Sequence, residues 1–293
     1  MRWPWHQRMH DPGSGRAPVA HAVVADHVAP ERSLMRVLLV GNYVPDQQPS
    51  MDRFAMLLRH SLGSETLHLT ILRPTVVLLR LPGLPQVLRK WFGYIDKFLF
   101  FPPLLRLLAP TYDLVHICDH SNAVYHPWTG STPCLITCHD MLAIRGGLGD
   151  EDAFCEASRL GRRLQRWILR SLASAPFVAF ISEFTRDDYV RLTRRGLGVG
   201  LRVVPLTLNA PFSPATDLAQ LRRAQPDLIE APYLLMVGSS LPRKNRESAI
   251  RLLQQLTDSW DGRLVIAGAP LSSSQRALAD DMGVKERILE VIN

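Results

Sequence analysis

The stretch YLLMVGSSLPRKNRESAIRLL, residues 233–253, reads as a strand, a turn and a helix. An apolar run from Tyr233 to Val237 ends in Gly238-Ser239-Ser240. Arg243-Lys244-Asn245 then opens a helix whose apolar face carries Ala249, Ile250, Leu252 and Leu253. That start is electrostatically awkward. The first turn of a helix has unsatisfied N–H groups and a partial positive charge, which favour acids over cations. Two cations there make sense if an anion sits between them. The alternative is a basic turn in solvent, which water and salt screen at little cost.

The same alternation continues on both sides. Downstream the pattern predicts a strand over 263–268, a helix over 273–282 and a strand over 287–292. Upstream it predicts strands at RVLLVG (36–41), LHLTIL (67–72), DLVHIC (113–118), CLITC (134–138), FVAFI (177–181) and RVV (202–204). Helices are predicted over 50–62, with Ser50 as N-cap, and from Glu151 to Ala173 and Thr185 to Leu192. Strands alternating with helices imply an α/β fold with parallel sheets covered on both faces. Two such domains are expected, 35–204 and 231–293, joined by a proline-rich polar linker over 205–230. Residues 1–34 hold four histidines and four arginines without helical or strand period, and no apolar h-region follows. They read as a disordered leader, with Met35 opening the folded part.

Composition narrows the class. The chain has 293 residues, 46% hydrophobic and 21% charged, which are the proportions of a globular protein. Four cysteines are too few for a disulfide framework in a chain this long, so reduced thiols and a cytoplasmic address are expected. The net charge of +7 points to an anionic partner. The first loop, GNYVPDQQPS, has Gly41 alone where a dinucleotide fold wants G-x-G-x-x-G, and there is no Walker sequence. NAD and P-loop chemistry are therefore excluded. Cys134 and Cys138 share a strand face near His116, His120 and His139, but neither C-x-x-C nor H-E-x-x-H occurs. No metal is expected.

His139 lies where CLITC stops, followed by Asp140. Ligands of parallel sheets gather at the carboxyl ends of strands; the alternative is a loop histidine that caps the strand. Residues 72–110 carry six basic residues against the single acid Asp96, interleaved with Trp91, Phe92, Tyr94, Phe98, Phe100 and Phe101. This suits the headgroup boundary of an anionic membrane, or a buried helical hairpin whose arginines snorkel outward. Nucleic acid is not expected, since no reader motif accompanies the charge. The stripe Arg159, Arg163, Arg166 and Arg170 is accounted for by dipole complementarity, with acids at the helix start, and by solvation.

Taken in order, MRVLLVGNYVPD, CLITCHD, FVAFISEFTRDD and YLLMVGSSLPRKN resemble a GT-B glycosyltransferase of the large retaining bacterial class, family 4-like or group 1. The resemblance implies two Rossmann-like domains, a nucleotide-sugar donor, a glycan or lipid-linked acceptor and retention at the anomeric carbon. A hexosyltransferase of polysaccharide biosynthesis, without cofactor or obligatory metal, is the type implied. It gives Lys244 the donor diphosphate, with Arg243, Gly238 and Ser239 beside it. It places His139 against the transferred sugar as a charge-stabilising donor, and gives Asp140 a role in orienting that loop. Three departures stand out. The first loop lacks the usual glycine pair, the linker opens as PLTLN, and no glutamate pair for ribose and sugar precedes Asn293. The resemblance therefore predicts a truncated second domain. The alternative function is a non-catalytic remnant that binds an acceptor or an anionic membrane surface.

Overall fold

The structure, a computed structural model, describes residues 34–196, 198, 200–207 and 232–292. The expected leader and linker lie outside the described residues, apart from Leu34 and residues 205–207.

Six parallel strands form the first sheet: β1 (Met35–Val40), β2 (Leu67–Leu72), β3 (Leu114–Ile117), β4 (Cys134–Cys138), β5 (Phe177–Phe180) and β6 (Leu201–Val203). Their order is β2-β1-β3-β4-β5-β6. Val37 of β1 pairs with Leu69 on one side and Leu114 on the other. The chain therefore winds one way from β1 to β2 and the other way from β3 onward. The switch point falls between β1 and β3, where open parallel sheets make their ligand crevice.

One face of this sheet carries the main core. Leu38, Val40, Val115, Ile117, Ile136 and Phe180 pack there against Phe101, Leu105, Tyr125, Ile168, Leu172 and Tyr189. These partners come from α3 (Phe101–Leu108), a 3-10 run His120–Thr129, α5 (Arg159–Ser174) and α6 (Glu183–Thr193). On the other face α1 (Pro49–Leu62) covers Val37, Leu39 and Leu69 through Ala55, Phe54 and Leu58. Beyond α1, Leu135, Thr137 and Ala179 line an open groove of about 460 Å³. Cover on this second face is thus partial among the described residues.

The second sheet has three parallel strands in sequence order, β7 (Tyr233–Gly238), β8 (Arg263–Gly268) and β9 (Ile288–Ile292). Its core joins Leu264 and Ile266 to Ile250 and Leu253 of α7 (Arg246–Gln255) and to Ala279 of α8 (Ser273–Asp281). A full capping box starts α8, with Ser272 and Gln275 satisfying each other's backbone N–H.

Four features depart from the sequence reading. Ser50 is not the N-cap of α1, since Gln48 holds that position and Pro49 is the first helical residue. The helix expected over 151–173 starts at Arg159, because Ser158 is its N-cap and accepts from the Gly161 N–H at 3.2 Å. Its supposed first turn is instead a 3-10 turn, Glu151–Ala153, held by the Asp150 side chain, and Phe154 follows in the left-handed region at φ 49°. The cations of PRKN do not open a helix either. Pro242–Lys244 is a 3-10 turn, Asn245 is left-handed at φ 50°, and α7 begins only at Arg246. Finally, 86–108 is one helical run, neither wholly buried nor a hairpin. It comprises α2 (Gln86–Ile95), a π turn Asp96–Phe100 and α3. Asp96 is its buried anchor, accepting from the Tyr43 hydroxyl at 2.5 Å and from the N–H groups of Val77 and Leu78.

Candidate functional site

The switch point is built from short polar side chains at strand ends. Just beyond β1, Asn42 donates through Nδ2 to Asp119 Oδ2 at 2.7 Å and also to Gln48 Oε1. Asn122 Nδ2 donates to Asn42 Oδ1 at 2.9 Å, so the amide of Asn42 is used on both sides. Asp119, two residues past β3, further accepts from the Ser121 hydroxyl at 2.6 Å and the Ser121 N–H at 3.1 Å. Burial alone would raise the pKa of this carboxyl. The neighbouring His120 and the hydrogen bonds from Ser121 and Asn42 outweigh it, and hold the group below the usual carboxylate range. His120 Nδ1 lies 3.2 Å from Asp119 Oδ1, near enough for charge attraction but outside hydrogen-bond geometry.

His139 sits beside this hub, one residue past β4. Its Nε2 is 2.9 Å from the Cys118 carbonyl oxygen, and Phe54 of α1 meets its ring edge-on with centroids 4.7 Å apart. A carbonyl only accepts, so Nε2 carries the proton and donates. Burial lowers the His139 pKa, partly offset by that same bond, so the ring is neutral at pH 7. Nδ1 is then a lone-pair acceptor without a partner among the described residues. Asp140 faces another way: its Oδ1 accepts from the Leu142 N–H at 2.9 Å and shapes the entry to α4 (Leu142–Leu148).

On the second sheet, Gly238 ends β7 at φ 140° and Gly268 ends β8 at φ 120°. The two glycines pair in register, and a Cβ on Gly268 would meet the Gly238 carbonyl oxygen at 2.6 Å. The Lys244 side chain folds back over Gly238, with Cε, Cδ and Nζ at 3.3, 3.5 and 3.7 Å from where a Gly238 Cβ would stand. Its ammonium is thereby brought to the carboxyl end of β7. Ser239 is half-buried and Arg243 exposed.

Sequence reasoning missed the cation that organises this corner. Arg246, the first residue of α7, is 2% exposed; it donates to the Gly238 carbonyl at 2.6 Å and to the Pro270 carbonyl at 3.1 Å. It therefore ties the crossing after β7 to the loop after β8. The Leu271 N–H of that loop donates to Glu290 of β9 at 2.7 Å. Gly238, Ser239 and Lys244 thus gather at one strand end, with Arg243 exposed in the same turn, while His139 and Asp140 follow the carboxyl end of the interior strand β4. A cavity of about 940 Å³ is lined by Gly146, Asp150, Phe154, Glu156 and Arg162 of the first region and by Pro242 of the second. Among the described residues no group of three or more His, Cys, Asp or Glu is placed to hold a metal ion.

No protein-family model and no curated protein matches the chain. Solved structures do. HepE from Anabaena, in complex with UDP and glucose, superposes with a TM-score of 0.60 at 12% identity, over 88% of this chain and 69% of its own. A glycosyltransferase from Rickettsia africae superposes at 0.55 and 11% identity, over 89% of this chain and 68% of its own. At such identities the likeness establishes the fold: two parallel-sheet α/β units in the GT-B arrangement.

Proposed function

We infer that the protein moves a sugar from a nucleotide-sugar donor to a glycan or lipid-linked acceptor, with retention at the anomeric carbon. The observation that carries the reading is Lys244 folded over Gly238. A positive-φ glycine lets backbone and ammonium meet at one point, and a diphosphate supplies the anion that no described carboxylate gives to Lys244. The UDP held by HepE supports a nucleotide of this class. As the sugar–phosphate bond breaks, charge builds on the departing diphosphate, and Lys244 with Arg243 stabilises it. His139 takes a role other than donor, because its N–H is already given to Cys118. Its Nδ1 accepts a hydrogen bond from a hydroxyl of the sugar and fixes the ring for attack. Asp140 supports the loop through Leu142 rather than touching substrate.

Calorimetry with UDP, GDP and ADP on wild type and Lys244→Ala tests the donor half. Loss of a charge-assisted contact costs ~1.5–3 kcal/mol, or roughly one to two decades in affinity. Nucleotide binding indifferent to Lys244 would remove the PRKN turn from the site. No binding of any of the three would remove the donor reading altogether.

A further inference from the structure

The sequence places an aromatic, basic segment at 86–108 and an arginine stripe on α5 some fifty residues later, and the fold brings them side by side. Trp167 of α5 packs on Phe98 of the π turn with ring centroids 5.4 Å apart. An apolar groove of about 450 Å³ runs between α5 and the helical run, walled by Trp91, Tyr94, Phe98, Leu160, Leu164 and Trp167. Around it Val87 is 79% exposed, Leu99 62%, Trp91 52% and Trp167 44%. Large apolar side chains clustered and left in water mark a contact surface.

The exposed charge on the groove's own helices is of one sign, and the nearby Asp46 is taken up by Lys97 at 2.8 Å. Asp96, the only acid of 86–108, is buried beneath Tyr43. α5 contains no acid, and its exposed arginines 159, 163, 166 and 170 follow i, i+4, i+7, i+11 spacing along one face. Trp167 and Leu160 border that row, at positions that turn the groove toward it. Dipole complementarity does not account for these arginines. The helix begins at Arg159, so its first turn holds a cation and no acid. A surface of this kind is incomplete without an external anion.

We propose that α2, the π turn and α5 form one discontinuous docking face for an anionic lipid bilayer. Trp91, Trp167 and the exposed aliphatics enter the headgroup–acyl boundary, and the α5 arginines lie on lipid phosphates. Nucleic acid fits less well, because Val87 and Leu99 offer aliphatic surface where bases need flat rings to stack on. No described helix is long and apolar enough to cross a membrane, so the contact is with the surface. The proposal stands apart from the donor chemistry, since it uses none of the residues at the β7 corner.

The test is co-sedimentation of the full chain with phosphatidylcholine vesicles, with and without phosphatidylglycerol. Two variants address the two halves of the face: Trp91→Ser/Trp167→Ser and Arg163→Gln/Arg166→Gln/Arg170→Gln. A charge-matched control, Arg251→Gln/Arg276→Gln/Lys285→Gln, removes three exposed cations from the elements around the second sheet. Circular dichroism establishes that each variant is folded. Wild type and control are expected to bind anionic vesicles well above neutral ones. The arginine variant is expected to lose about a hundredfold in partition at low salt, as three surface cations would imply. The tryptophan variant is expected to lose tenfold or more at any salt, since two partly exposed indoles no longer bury their apolar area in the bilayer. Equal binding to both vesicle types, or folded variants that bind like wild type, would overturn the proposal. So would tight binding of single-stranded DNA with none to vesicles.

Discussion

The guanidinium of Arg246 reaches back eight residues to the carbonyl oxygen of Gly238, at 2.6 Å. Its other arm holds Pro270 at 3.1 Å, so one buried cation bridges the ends of two neighbouring strands. A helix N-terminus is a poor place for a cation, and the two carbonyl dipoles offset that cost.

Replacing Arg246 with Met, of similar length but without donors, should leave both carbonyls unpaired in a buried corner. Breaking hydrogen bonds to a charged group costs ~1.5–3 kcal/mol. Urea unfolding should show a loss of that order, with nucleotide affinity falling as the Gly238 turn loosens. If Arg246→Met unfolds like wild type, the bridge contributes nothing.

Gly268 makes a sharper steric case. A Cβ there would sit 2.6 Å from the Gly238 carbonyl oxygen on a backbone at φ 120°, whereas one on Gly283, at φ 66°, would meet nothing within 4 Å. Gly283→Ala should cost only the strain of the left-handed backbone, ~1 kcal/mol. Gly268→Ala adds a backbone clash and should cost at least ~2 kcal/mol more. Thermal melts of the two variants decide this; equal melting points would mean that β7 and β8 part without penalty.

These contacts mark the limit of what the chain made legible. Strands such as β1 and β7 announce themselves as short apolar runs, but the strand order, with its reversal between β1 and β3, emerges only from the fold. Arg246 does not, because an arginine near a helix start reads as solvated until the loop after β8 closes over it. The start of α5 is obscured by Glu151, Asp152 and Glu156, which imitate an acidic first turn although Asp150 diverts the first two into a 3-10 turn. Across 86–108, apolar residues occur on every side of the helix and the π turn shifts their phase, so no single period emerges. The Asp119 hub draws Asn42 from 77 residues away, and nothing local signals that pairing.

Acid should destabilise the first sheet before its carboxylates titrate. Burial, with a smaller contribution from His139, lowers the His116 pKa to about 4, and burial lowers that of His139 too. Below pH ~6.5 the unfolded chain takes up these protons while the native state refuses them, so stability falls as pH drops. For His116 the loss builds between pH ~6.5 and about 4, and reaches ~3 kcal/mol. His116→Gln, whose longer amide reaches about as far as Nε2 and can still meet the Thr137 hydroxyl that Nε2 now touches at 2.8 Å, should flatten that part of the profile. Urea midpoints measured across this window would check it; an unchanged slope in the variant would place the acid sensitivity elsewhere.

Asp119 is the residue on which the switch point depends. Its two oxygens meet only donors: Oδ2 receives Asn42 Nδ2 and the Ser121 hydroxyl, and Oδ1 receives the Ser121 N–H. Asp119→Asn would keep the size but turn one oxygen into an NH₂ group, facing a donor already in place. Either Asn42 or Ser121 must then let go, leaving a buried polar group unpaired at ~1–3 kcal/mol. Because Asn42 opens the first loop and Gln48 precedes α1, hydrogen exchange should accelerate at residues 42–48. The Gly238–Lys244 corner belongs to the other sheet, so UDP affinity by calorimetry should stay within about twofold of wild type. Unchanged exchange at 42–48 in a folded Asp119→Asn protein would show that the Asn42–Asp119 bond does not hold the loop.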